Sequence, residues 1–222
     1  MSMESPSLLR LEKTSLREQA LTALRRAITT GQLPPGTHLV ETDLSDALQI
    51  SRGTLREAMR QLQQEGLISA GARGRLSVRH VDNKEIKDIF AVRAALESLA
   101  ACELAIREDR ADVVTQLRSA VAEMERWAAS NLEDRIEADL KFHRTMCHLS
   151  GNETLLHSWS SLEGSIRMSI MWAGVDRALK NMDARRHYDI VDAIDSGDPA
   201  QASATVHDHM ANAAKVLMDG AA

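Results

Sequence analysis

Aromatic residues make up only 3% of this 222-residue chain. Single-strand nucleic-acid binders stack bases on aromatic rings, so the scarcity speaks against that class. Cysteine is equally sparse: Cys102 and Cys147 form neither a C-x-x-C pair nor a disulfide framework. Their pattern points to a reducing, cytoplasmic setting. Long apolar runs are missing too. The N-terminus, MSMESPSLLRLEK, has no continuous apolar core of the kind a signal peptide carries. The most apolar long stretch, Ala91 to Ile106, is broken by Arg93, Glu97 and Glu103, which argues against a membrane span. What is present is ordinary material for a packed core, 44% hydrophobic and 27% charged. The net charge of -5 is unevenly divided. Residues 1–82 carry 11 Lys/Arg against 9 Asp/Glu, and residues 83–222 carry 16 against 23. The split suggests two parts with different partners, with chance unevenness as the plain alternative.

In the first part, SLREQALTALRRAIT (15–29) has apolar positions at helical spacing: Leu16, Ala20, Leu24, Ala27 and Ile28. Gly31 and Pro34-Pro35-Gly36 stop it and build a turn. A short helix follows, ETDLSDALQ, with Leu44, Ala47 and Leu48 expected inward. Then comes a helix that Ser51 can cap and Gly66 ends. Two short helices separated by Gln49-Ile50-Ser51 suggest a helix-turn-helix. In the second, Leu55, Ala58, Met59 and Leu62 form the expected buried stripe, and Arg52, Arg56 and Arg60 form a row on a neighbouring face. Such a row can reach base edges and phosphates in a major groove, although a solvated basic face has the same look. The next segment, LISAGARGRLSVRHV, is strand-like on both sides of Ala72-Arg73-Gly74 and reads as a hairpin. Its tip would lay Arg73 and the Gly74 backbone near phosphates or a minor groove.

The run GQLPPGTHL, then LSDALQISRGTLREAMRQLQQEGLI, then GARG, resembles the winged helix-turn-helix of GntR-family transcriptional regulators over roughly residues 16–80. The resemblance implies that Arg52 and Arg56 contact bases or phosphates. It also implies that Ser51 and Thr54 assist at the backbone and that the wing near Gly74 touches the minor groove.

From Asn83 onward there is neither strand alternation nor repeat. The periodicity predicts six helices, near 84–107, 111–128, 131–149, 153–173, 176–195 and 198–218, joined by short connections into an antiparallel all-α bundle. The expected division is a DNA-binding domain over 1–82, with 1–13 as a flexible arm, and a ligand-binding, dimerising domain over 83–222. Asp139 and His143 lie 12 and 8 residues before Gly151, and His187 and His209 lie 10 before and 12 after Gly197. At 1.5 Å of rise per residue all four stand roughly 12–18 Å from one end of the bundle. One carboxylate with three imidazoles suits a divalent ion, zinc first and nickel or manganese next. A lone internal histidine is more often a hydrogen-bonded core residue; four donors at one depth favour the metal. His38, His80, His148, His157 and His207 lack such partners and read as surface or structural groups.

The segments AVRAALESLAA, DLKFHRTMCHLSGN, HYDIVDAIDSGD and VHDHM resemble the FCD effector domain of the FadR-type branch of that family, the six helices matching its smaller, VanR-like subgroup. The resemblance implies that Asp139, His143, His187 and His209 bind a metal facing a ligand cavity. It implies too that Arg93 can meet an organic acid's carboxylate; a surface ion pair with Glu97 is the other reading of Arg93. The expected whole is a homodimer on a pseudo-palindromic double-stranded operator, a repressor or activator answering to a small carboxylate or sugar acid. Two rivals stay open: a metal-dependent hydrolase with an accessory nucleic-acid domain, and a constitutive DNA-binding protein with a structural metal.

Overall fold

The computed structural model describes residues 15–71, 74–173 and 175–219, so the expected arm (1–13) and Arg73 at the hairpin tip lie outside the described residues. Ser15 and Glu18 form a reciprocal capping box that opens α1 (Leu16–Thr29). The helix buries Ala20, Leu21, Leu24 and Ile28 and packs on α3 (Arg52–Gln64), while Leu16 is exposed. Between α2 (Glu41–Leu48) and α3 the chain turns through Gln49, whose φ of 53° is left-handed, so the helix axis changes direction in three residues. The Ser51 hydroxyl then accepts the Thr54 N–H at 3.1 Å and starts α3, which buries Leu55, Ala58, Met59 and Leu62 as its period predicts. The inward face of α2 differs from expectation. Ser45 is buried, Leu44 and Leu48 are half-buried, and Ala47 is exposed. In a two-turn helix the connection at Gln49 sets the rotation more firmly than one alanine can.

Strands β1 (Ile68–Ala70) and β2 (Leu76–Val78) pair antiparallel, Ile68 with Val78 and Ala70 with Leu76. The segment after Pro34-Pro35-Gly36 joins them: His38 bridges Ser77, and the Leu39 N–H donates to the Leu76 carbonyl at 2.9 Å.

The remainder is helical: α4 (Asn83–Ala105), α5 (Arg110–Trp127), α6 (Leu132–Leu149), α7 (Glu153–Trp172), α8 (Val175–Asn181), α9 (Ala184–Asp195) and α10 (Pro199–Met218). That is seven helices among the described residues, where the periodicity predicted six, so the helix count behind the VanR-like comparison is corrected. The helix expected over 176–195 breaks at Met182-Asp183, because the Asp183 carboxylate accepts the Arg185 N–H at 3.0 Å and begins α9 afresh. Asn131, Asn152 and Asp198 cap α6, α7 and α10 in the same way. Helix α4 lies centrally, packed most extensively on α10 and also touching α6, α7 and α9. Such a helix is apolar on several sides, yet at its middle it buries Arg93 and Glu97.

The winged part sits on α7. Arg79, just after β2, donates to the Ser165 hydroxyl on α7 and to the Glu85 carboxylate on α4. His80 meets Trp172 edge to face, with ring centroids 4.2 Å apart. At Gly164 the two backbones approach so closely that a Cβ would stand 1.0 Å from the Glu65 carbonyl oxygen. Alanine would otherwise favour a helix interior by about 0.8–1.0 kcal/mol over glycine. Gly164→Ala is therefore expected to lower the Tm, since overpacking of about 1–3 kcal/mol outweighs that gain. Thermal unfolding of the variant beside Gly53→Ala, whose Cβ would meet only the Ser51 hydroxyl at 3.7 Å, checks it.

Candidate functional site

Arg52, Arg56 and Arg60 all stand exposed on α3. Arg56 Nε donates to Glu41 Oε2 at 2.7 Å, an exposed pair that water screens and a phosphate or guanine edge can replace. The side chains of Arg52 and Arg60 make no hydrogen bond or ion pair among the described residues. Arg56, Arg60 and Gly74 line a groove of about 310 Å³ between α3 and the hairpin. Gly74 has a φ of 71° with open space around it, so backbone rather than a side chain faces outward there. Ser51 and Thr54 are joined hydroxyl to hydroxyl at 2.9 Å at the start of the same helix.

The second constellation is buried. Asp139 and His143 share a face of α6, His187 comes from α9 and His209 from α10. The three histidines each bring a ring nitrogen within 4.8 Å of the others. His187 Nε2 is 3.2 Å from His143 Nε2 and 3.1 Å from Asp139 Oδ1. The opposite ring nitrogens are committed outward: His143 Nδ1 lies 2.6 Å from Glu97 Oε2, and His187 Nδ1 lies 3.0 Å from the Asp183 carbonyl. Both outward partners are acceptors, so both Nδ1 atoms carry protons, an assignment made from the hydrogen-bond network. That leaves two imidazole lone pairs and a carboxylate oxygen facing one another with no donor between them. A proton on His187 would satisfy one of these contacts; a cation satisfies all of them. Asp139 Oδ2 is also buried without a hydrogen-bond partner among the described residues. Donors about 2.1 Å from a common ion stand roughly 3.0–3.4 Å apart in octahedral or tetrahedral geometry. The two spacings at His187 Nε2 thus fit a divalent metal, while the three imidazoles as a set close to within 4.8 Å and Asp139 stands at His187, outside that three-histidine set.

The electrostatics agree with that donor set. Burial pushes the Asp139 carboxyl up, but a hydrogen bond from His187 and positive charge at His143, His187 and Arg93 outweigh it and bring it to about 2. When the imidazole lone pairs face inward, that anion needs a cation in place of the His187 donor. Burial lowers His143 against the opposing pull of Glu97, and burial with the neighbouring imidazoles holds His209 well below its ordinary value. These two rings are thus neutral at physiological pH, the form that ligates a metal. His209 faces a small cleft of about 210 Å³ beside Arg186 and Asp208.

Arg93 is buried, not on the surface, so the surface ion pair is corrected to an interior one: its Nε donates to Glu97 Oε1 at 2.6 Å. Its Nη2 is buried without a hydrogen-bond partner among the described residues. Glu97 also accepts the Trp159 indole N–H at 2.7 Å from α7. Burial raises the Glu97 carboxyl, yet Arg93, His143 and Trp159 together bring it to about 2. Sequence reasoning missed Glu97 as an orienting partner of His143, and it missed Trp159 and the Asp183 carbonyl altogether. The charges interrupting the most apolar stretch were the available signal, since a charge in such a helix is often paired inside.

A winged helix carrying free arginines, seated on a helical bundle with a buried donor centre, has the build of a DNA-binding protein with a sensing half. Residues 16–78 match the family described as bacterial regulatory proteins, gntR family, and residues 88–212 match the FCD domain. A protein of Paenarthrobacter nicotinovorans, named a probable D-xylose utilization operon transcriptional repressor, is 28% identical over 205 residues, covering 91% of this chain and 88% of that one. LutR of Bacillus subtilis is 25% identical over 211 residues, 86% and 95% of the two chains. YdhC of the same organism is 34% identical over 134 residues, which span 60% of this chain and 59% of that one. A GntR regulator structure from Rhodococcus sp. RHA1 superposes with a TM-score of 0.74 at 21% identity, over 93% and 99% of the chains. The Escherichia coli protein McbR/YncC superposes at 0.69 and 16%, over 92% and 98%. At those identities the two structures show a shared fold. The chain belongs to the GntR family of bacterial transcriptional regulators, in the branch that carries an FCD domain. It is a DNA-binding regulator and not an enzyme.

Replacing Glu97 by Gln leaves Arg93 without its buried counter-charge, at an expected cost of about 3–5 kcal/mol. The Glu97 carboxyl is held below its ordinary 4.5, so the stability it contributes is complete above that pH and lost as pH falls toward about 2. The Tm gap between metal-free wild type and Glu97→Gln should accordingly be widest near neutrality and close over that acid range. A gap that stayed constant would remove the charge as its cause.

Proposed function

We propose that the chain is a metabolite-responsive repressor, with residues 1–82 reading DNA and residues 83–222 sensing a small carboxylate or sugar acid. The observation that carries the sensing half is the buried, unpartnered Arg93 Nη2 beside a set of convergent acceptors. An unpaired buried guanidinium donor is costly, and a carboxylate is its natural complement. Asp139, His143, His187 and His209 would hold a divalent ion, zinc first and nickel or manganese next. When bound, the ion supplies a Lewis-acidic centre able to take a carboxylate oxygen. His143 and His187 are oriented for that role by Glu97 and the Asp183 carbonyl. Repression is the direction suggested by the D-xylose relative's name. As a chromosome-binding protein the regulator would work in the cytoplasm.

On the DNA side, Arg52, Arg56 and Arg60 of α3, with Ser51 and Thr54 at its start, would enter the major groove, and the wing at Arg73 and Gly74 would lie against the minor groove. A homodimer would present two such helices to a pseudo-palindromic operator. Val92 and Leu99 of α4 and Ile106 at its C-cap recur every seven residues and are exposed at 49%, 46% and 66%. This stripe suits a second copy of the chain, and a monomer by sedimentation at operator-binding concentrations would remove that assignment. The hydrolytic reading gains nothing from Glu137, two residues before Asp139, which is turned to Arg167 and Arg144. A purely structural metal is the second reading, favoured by the low exposure of the donors.

Metal analysis and operator titration separate these readings. His187→Ala should lose most bound metal and the response to added acids, while full metal retention would refute the donor set. Metal loss that leaves every acid without effect on the wild type would favour the structural role. For the DNA face, Arg56→Ala should weaken operator binding by about 1–3 kcal/mol if it reads a base. An equal loss on random DNA would make it a phosphate contact instead.

A further inference from the structure

One large hollow of the bundle lies outside both sites, sharing only Asp183 with the surroundings of the metal centre. Between α5, the start of α6 and the α8–α9 joint lies a cavity of about 500 Å³, a size that suits a small molecule. Its inner wall is apolar: Met124 and Met182 are buried, and Leu179 is half-buried. Methionine adapts its shape to varied apolar ligands. The charges along the walls are unequally matched. Both carboxylates there have partners of their own, since Glu125 accepts from the Tyr188 hydroxyl at 3.3 Å and Asp183 from Arg185 Nη2 at 2.8 Å. The side chains of the two cations, Arg135 and Lys180, make no hydrogen bond or ion pair among the described residues. Arg135 is nevertheless half-buried. A guanidinium partly withdrawn from water beside an apolar floor, with no ion-pair contact among the described residues, is complementary to a carboxylate, which it can take bidentately.

We propose that this cavity is a second ligand site, separate from the metal centre, for a monocarboxylate with a short apolar tail. The carboxylate meets Arg135 and Lys180, and the tail lies on Met124, Leu179 and Met182. A second negative charge on the ligand would face Glu125 and Asp183, so dicarboxylates are disfavoured. The site adjoins the sensing centre through covalent neighbours. Arg135 stands one helical turn before Asp139 on α6, and Asp183 is the residue whose carbonyl holds His187. The assignment does not depend on the metal reading.

The test is isothermal titration of the full chain with sodium hexanoate, with hexanamide as the neutral control and adipate as the dianion. Hexanoate is expected to saturate one site per chain, roughly ten-fold more tightly than either control, as a charge-assisted hydrogen bond would give. Arg135→Gln should weaken hexanoate roughly ten-fold while leaving the Tm unchanged, and Lys180→Gln should weaken it less. Hexanoate binding should persist after the protein is stripped with EDTA. No saturable binding, or binding indifferent to Arg135→Gln, overturns the proposal. Binding lost on EDTA treatment also overturns it, by assigning the carboxylate to the metal centre and leaving the sensor reading intact.

Discussion

The buried carboxylate of Glu97 is the constraint around which the bundle is arranged, because an anion in an apolar interior is tolerated only when its oxygens are fully occupied. Three donors from three helices occupy them: Arg93 from α4 itself, His143 from α6 and Trp159 from α7. The two bonds from other helices, His143 and Trp159, fix the rotation of α6 and α7 against α4. Once His143 is turned so that Nδ1 meets Glu97, its Nε2 must face the opposite way, toward His187. Asp139, one turn earlier on the same helix, is carried to the same side. The donor centre is therefore a geometric consequence of how Glu97 is satisfied.

The same helix that satisfies Glu97 also bears the winged part. Trp159 reaches inward from α7, and Gly164 and Ser165, about 8–9 Å further along the axis, receive the Glu65 carbonyl and Arg79. Flanking ion pairs steady α7 against α6, where Arg144 and Arg167 share Glu137 and Glu163. The metal-donor centre and the DNA-binding part thus both bear on α7, and Arg79 also ties the wing to α4 through Glu85. A ligand can alter DNA affinity only by favouring one arrangement of such an element over another.

Much of the winged part could be read directly. Ser51 as a cap, Leu55, Ala58, Met59 and Leu62 as a buried stripe, and an outward arginine row all follow from local spacing on one helix. The exposed Ala47 and the break at Met182-Asp183 did not. Helical period continues across Asp183, and only the formed cap shows that its carboxylate competes with the next turn. The buried Arg93–Glu97 pair was equally hard to see, since an i, i+4 pair has the same spacing in water and in a core.

By itself the sequence determined the two-part division of character, most helix ends, and the common depth of Asp139, His143, His187 and His209, because rise along a helix is a local, additive quantity. Tertiary structure decided which way those four side chains turn, which ring nitrogens face one another, and that Arg93 lies inside with one donor free. Rotation about a helix axis and burial depend on every neighbour at once, and on Glu97 finding its three donors together. Local periodicity carries no record of that.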